Sequence, residues 1–197
     1  MKIVFTGGGS GGHFYPIIAV VQGIARLVEE RKLVEAKFYY LSTDPYDSHL
    51  LFEHQIEFHH VNAGKWRRYF SLRNFSDIFR NISGFLTALW RLYLIYPDIV
   101  FSKGGYASFP TLLASRVLGL PVIIHESDSH PGRVSLWSAK FAKRIALSYP
   151  EALNYFPKEK TALTGNPIRE ELLSPISRGA HEFLKLDQNL PILFITG

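Results

Sequence analysis

Residues 2–16, "KIVFTGGGSGGHFYP", decide how this chain folds. A short β-branched and aromatic run, Lys2–Phe5, reads as a strand buried on both faces. Five glycines and a serine follow between Gly7 and Gly12, and a helical apolar pattern then runs over Tyr15–Glu30. A bare strand–loop–helix junction of this kind opens a βαβ unit. The same alternation continues outward from it. Strands are predicted at Lys37–Leu41, Glu57–Val61, Ile99–Ser102, Val122–Glu126, Arg144–Ser148 and Thr161–Thr164. Helices are predicted at Ser48–His54, Phe75–Tyr96, Pro110–Leu118, Arg133–Phe141 and Glu151–Phe156. The fold expected is α/β, a doubly wound parallel sheet of Rossmann-like type, with no internal repeat.

Composition narrows the class. Of 197 residues, 47% are hydrophobic and 20% charged, a globular make-up. No cysteine is present, which excludes disulfides and thiolate zinc sites and is compatible with a cytoplasmic protein. Lys and Arg number 22 against 17 Asp and Glu, so the net charge is +5 and anionic partners are favoured. "MKIVFT" is not read as a secretory signal. The longest apolar stretch, Phe85–Tyr96, is broken by Thr87 and Arg91 and is too short to span a bilayer.

In doubly wound sheets the ligand lies beyond the carboxyl ends of the strands. Four loops there are polar: "TGGGSGGH", "SKGGYAS", "HESDSHPGR" and "TGNPIRE". Gly7, Gly9 and Gly12 satisfy the dinucleotide pattern G-x-G-x-x-G, yet about 20 residues on Leu27–Glu30 is still helix and the second strand ends only near Leu41, with Asp44 beyond, so the acidic residue that binds ribose is not in place. A Walker loop is excluded, because His13 and Phe14 occupy the lysine and Ser/Thr positions. What remains is an anion site at a helix N-terminus, or a tight turn without a ligand. His13 falls in the first helical turn, where the dipole favours neutral imidazole suited to a general base. A histidine that merely bonds a neighbouring loop is the alternative. Gly104, Gly105 and Tyr106 repeat the glycine arrangement after a second strand, as if a phosphate or polyhydroxyl substrate were gripped from both sides.

The stretches "GGGSGGHFYP", "PDIVFSKGGYASFPTLLAS", "GLPVIIHESDSHPGR" and "TGNPIREEL", in that order, resemble the bacterial MurG family of N-acetylglucosaminyltransferases. The resemblance spans nearly the whole chain. It implies one half of a GT-B fold and inverting transfer of N-acetylglucosamine from UDP-GlcNAc to lipid I, which makes lipid II for peptidoglycan. On this footing residues 1–165 are the acceptor domain, 166–190 an interdomain linker, and 191–197 the first strand of a truncated donor domain. His13 is implied as the base. Ser10, Gly11 and Gly12 would approach the donor; Gly104, Gly105 and Tyr106 would bind the acceptor diphosphate; Arg169 would reach the donor nucleotide. Glu126 and Asp128 complete the substrate-binding candidates and are next in line as base. Asp128 departs from the family's usual asparagine and, when ionised, can only accept hydrogen bonds. No metal and no cofactor are implied. The alternative is a non-enzymatic, membrane-recruiting subunit of a split GlcNAc transferase.

The acceptor's lipid tail implies contact with an anionic membrane at its cytoplasmic face, as a peripheral protein, with cell-wall synthesis proteins as possible partners and no nucleic acid. Phe75, Phe79, Ile82, Phe85 and Leu89 recur at helical spacing, with Lys65, Arg67, Arg68, Arg73 and Arg80 around the start of that helix. Packing of this face on the sheet is the alternative. Leu86, Trp90 and Ile95 are expected to form the face that packs.

Overall fold

A computed structural model describes residues 1–65, 73–174, 179–187 and 190–193, with the backbone alone at 73 and 74. Seven strands form one parallel sheet in the order β3-β2-β1-β4-β5-β6-β7. They are β1 Lys2–Thr6, β2 Lys37–Ser42, β3 Ile56–His60, β4 Ile99–Ser102, β5 Val122–Glu126, β6 Arg144–Leu147 and β7 Thr161–Leu163. Each predicted strand is present within a residue or two of its expected ends. The longer helices are α1 Gly11–Glu30, α2 Ser48–Glu53, α3 Arg73–Ile95, α4 Phe109–Val117 and α5 Arg133–Ser138. Two short helices follow, α6 Glu170–Leu173 and α7 Ala180–Leu184.

Period-two alternation divides the core between the two faces of the sheet. Ile3 and Phe5 of β1 pack with Phe14, Ile17, Ile18 and Val21 of α1. Val4 faces the opposite way and joins Ala88, Leu92 and Ile95 of α3, Leu112 of α4, and Ile124 and Ile145. Strand order reverses between β1 and β4, so the crevice at this switch point opens between the Gly7 and Gly104 loops.

Three expectations are corrected. Helix α1 starts at Gly11, four residues before the apolar pattern. Glycine has poor helix propensity, but here the first turn is held by the rest of a 20-residue helix. The segment predicted as a helix over Glu151–Phe156 is a 3-10 helix at Pro150–Tyr155. On α3 the packing face differs from the expected one at two of three positions; Ile95 is buried as expected. Leu86 and Trp90 are 57% and 61% exposed, whereas Phe85 and Leu89 pack against the core with Ala88 and Leu92. Alternating aromatic and aliphatic residues on both sides of one helix left two phases open, and only contact with the sheet selected between them.

Past β7, α6 docks back on α1: Gln22 donates to Glu171 (2.8 Å), and the Glu170 N–H donates to Gln22 Oε1 (3.1 Å). Most of the strand expected at 191–197 lies outside the described residues, and Pro191–Leu193 has no regular structure.

Gly84 lets α3 approach its neighbours. A Cβ there would overlap the Asn62 carbonyl oxygen and stand 3.2 Å from Pro110 Cγ at the start of α4. Gly84→Ala gains about 1 kcal/mol of helix propensity. The clash is with backbone, and overpacking of that kind costs about 1–3 kcal/mol. Net destabilisation in urea denaturation is the expected result; a higher midpoint would show that the helix can move away.

Candidate active site

The two glycine loops are locked against each other by the strands that carry them. The Gly7 carbonyl accepts from Tyr40 Oη (2.9 Å) and Ser42 Oγ (2.6 Å) of β2. The Lys103 N–H donates to the Thr6 carbonyl (2.9 Å), tying the end of β4 to the end of β1. Gly9, at φ +90°, packs on the Tyr106 ring. Gly104 and Gly105 lie at φ +82° and +80°, where a side chain is strained. Among the described residues, no acceptor meets the backbone N–H groups of Ser10, Gly11 and Gly12. These groups form the positive end of α1, and Gly11 and Gly12 line the cleft beside the crevice, an arrangement suited to an anion.

His13 stands at the centre. Its Nδ1 lies 3.3 Å from the Lys103 carbonyl. A carbonyl only accepts, so Nδ1 carries the proton and Nε2 keeps its lone pair. The ring rests on Gly105: a Cβ at that glycine would stand 3.1 Å from both Cδ2 and Nε2. Burial, and then the charge of Lys103, hold the imidazole below its usual pKa, which leaves Nε2 a neutral base at neutral pH.

A cleft of about 370 Å³ beside this centre is lined by Gly11, Gly12, Tyr15, Ser127, Asn166 and Arg169, among others. The Arg169 guanidinium lies over the Tyr15 ring at 4.3 Å, and its Nε is buried without a partner. A half-buried cation with an unused, buried donor suits an anionic ligand.

Glu126 is arranged differently from the other sequence candidates. It is buried, and its carboxylate accepts from the N–H groups of Ser127 (2.9 Å), Asp128 (3.1 Å) and Gly132 (3.0 Å). It shapes the 127–132 turn. Asp128 and Ser10 are exposed. Tyr106 faces Gly9 and carries Lys65 Nζ 5.0 Å from its ring centroid. His13, Gly105 and Tyr106 therefore line the crevice, whereas Gly11, Gly12 and Arg169 line the adjoining cleft. Sequence reasoning passed over Lys103, Ser127, Tyr40 and Ser42. Lys103 left no local signal, because a lysine's long stem ordinarily carries its charge to water.

A Rossmann-like parallel sheet with paired glycine loops at its switch point is the fold of one half of the GT-B sugar-nucleotide transferases. The chain belongs to glycosyltransferase family 28, matching that family's N-terminal domain over residues 3–147. It is 40% identical over 198 residues to a Treponema pallidum protein named UDP-N-acetylglucosamine--N-acetylmuramyl-(pentapeptide) pyrophosphoryl-undecaprenol N-acetylglucosamine transferase, covering 99% of this chain and 50% of that one. A Lachnoclostridium phytofermentans protein of the same name is 38% identical over 196 residues, with 100% and 54% covered. The chain thus spans about half the length of the curated relatives it matches. Among solved structures, Acinetobacter baumannii MurG superposes with a TM-score of 0.64 at 24% identity, over 89% of this chain and 48% of that one. A putative UDP-N-acetylglucosamine 2-epimerase from Listeria monocytogenes follows at 0.60 and 13% identity, with 84% and 45% covered. These two likenesses concern the fold.

Proposed function

We propose that this chain is the acceptor-binding half of an inverting N-acetylglucosaminyltransferase that uses UDP-GlcNAc and the lipid-linked muramyl pentapeptide, lipid I. The observation that carries the reading is the position of His13, with Nδ1 tethered and Nε2 free against the Gly105 loop. Such a base takes the proton of the attacking sugar hydroxyl as the hydroxyl oxygen bonds to the anomeric carbon of GlcNAc. The bond from that carbon to the UDP oxygen breaks, and the diphosphate departs with the electron pair. The unpaired N–H groups at the start of α1 and the Arg169 guanidinium lie where they can stabilise that charge. The names of the relatives at 38–40% identity agree with this donor and acceptor. The test is transfer of labelled GlcNAc from its UDP donor to a lipid I analogue by the full-length protein. Transfer to muramyl acceptors lacking the diphosphate should be at least tenfold weaker; equal transfer to both would refute an acceptor grip by the glycine loops.

Attachment to a membrane through α3 is part of the same proposal. Among the described residues, no helix is long and apolar enough to cross a membrane. Phe75 (68% exposed), Phe79 (58%), Ile82 (51%), Leu86 and Trp90 instead form one exposed stripe along α3. Arg80 is exposed beside it, whereas Arg67, Arg68 and the Arg73 side chain lie outside the described residues. An apolar stripe with an exposed arginine beside it suits attachment to the cytoplasmic face of an anionic bilayer. Serine at Phe75, Phe79, Leu86 and Trp90 should weaken binding to phosphatidylglycerol vesicles at least tenfold with an unchanged melt. Each apolar side chain contributes about 1.5–3 kcal/mol when fully buried and less at partial depth. Phe85→Ser should instead lower the melting temperature, because that ring packs on the core. Unchanged vesicle binding by the quadruple variant would remove the stripe from consideration.

A further inference from the structure

Lys103 is 2% exposed, and it touches three of the loops that build the site. Its carbonyl accepts from His13, its Cβ lies against Gly7, and its ammonium donates to Ser127 Oγ at 2.7 Å. Among the described residues no carboxylate reaches ion-pair distance of this ammonium. A buried, unpaired cation is costly and is not retained for packing alone, since an apolar side chain of the same length would fill the space. We propose that Lys103 is a positioning residue for the transfer reaction: its ammonium holds Ser127 at the wall of the donor-side cleft and sets a fixed positive charge beside the His13 ring. The inference rests on His13 being the base of the proposed reaction.

The tether follows from the geometry, and the charge acts beside it. Ser127 lines the cleft with Gly11, Gly12 and Arg169, so the ammonium acts on that wall through the serine hydroxyl. The charged groups that act on His13 are Lys103, just past β4, Glu126 at the end of β5 and Asp128 in the turn that follows. The two carboxylates favour imidazolium, and Lys103 opposes them. The same carboxylates favour the ammonium of Lys103, against its burial. His125, buried beneath with Nε2 3.0 Å from the Gly165 carbonyl, is also held neutral by burial.

The test uses the full-length protein carrying labelled histidine, with the His13 titration followed by NMR, so the first readout needs no substrate. In Lys103→Met the His13 midpoint should move to higher pH. Lys103→Gln removes the charge yet keeps a donor for Ser127; it should move the midpoint likewise and leave KM for UDP-GlcNAc near that of the parent. Loss of the opposing charge should also lower kcat/KM at pH 6 relative to pH 8 by about threefold or more. Lys103→Met and Ser127→Ala should raise KM for UDP-GlcNAc by similar factors, and the double variant no further. A midpoint that stays put in folded Lys103→Met or Lys103→Gln overturns the electrostatic role. Multiplying KM effects in the double variant overturn the tether. If Lys103→Met does not fold, the glutamine variant and Ser127→Ala decide the same two questions. Should the parent show no transfer from UDP-GlcNAc, the proposed reaction fails while the titration still reports on Lys103.

Discussion

Alanine at His13 is expected to lower kcat of the complete enzyme by about 10²–10⁴, the usual contribution of a positioned general base. KM should change far less, because the imidazole acts on a proton that moves only in the transition state. The pH profile gives an independent check. Neutral imidazole is the active form, and burial holds its pKa below the usual value. The acid limb of kcat/KM should therefore lie below pH ~6.5, the unperturbed imidazole value, and activity should fall as pH drops through it. His13→Ala should abolish that limb. A variant that keeps kcat within a few-fold of the parent and retains the limb would move the base elsewhere. Asp128, exposed at the rim, would then be the next candidate. Glu126 is less suited, since its oxygens already accept three backbone N–H bonds.

The second large effect is expected at Gly105, which touches no proton in the reaction. A Cβ there would stand 2.8 Å from the Gly8 carbonyl oxygen and 3.1 Å from the His13 ring, at φ +80°. Backbone strain of this kind costs about 1–3 kcal/mol. The displacement matters more. The carbonyl belongs to the opposite glycine loop and the ring to the base, so relief of the clash widens the crevice and turns the imidazole. A shift of about 1 Å in catalytic geometry can cost about 10²-fold in rate, and Gly105→Ala should show a loss of that order. Gly119→Ala is the control. Gly119 also has positive φ, at +66°, but a Cβ there meets nothing within 4 Å. It should lose stability with kcat unchanged. Equal kcat losses in the two variants would show that strain, rather than crevice geometry, is responsible.

Much of this molecule was legible in the chain. Buried parallel strands leave near-continuous apolar runs, and glycine-rich loops punctuate them, so seven strands, their order of appearance and the loops at their carboxyl ends could be read locally. Motif spacing also pointed to His13 and both glycine loops, which the fold brings together although they lie 90 residues apart. The phase of α3 could not be read this way. Phe85 and Leu86 are both apolar, and only the sheet beneath decides that the first is covered and the second faces outward. Glu126 reads as a catalytic carboxylate, but its three backbone donors come from a turn whose path is set in three dimensions. Lys103 is the clearest case. A lysine carries no local sign of burial, since its long stem ordinarily takes the charge to water. Here β1, α1 and the turn after β5 close over it, and desolvation, a property of the surrounding shell rather than of the residue, makes the charge count.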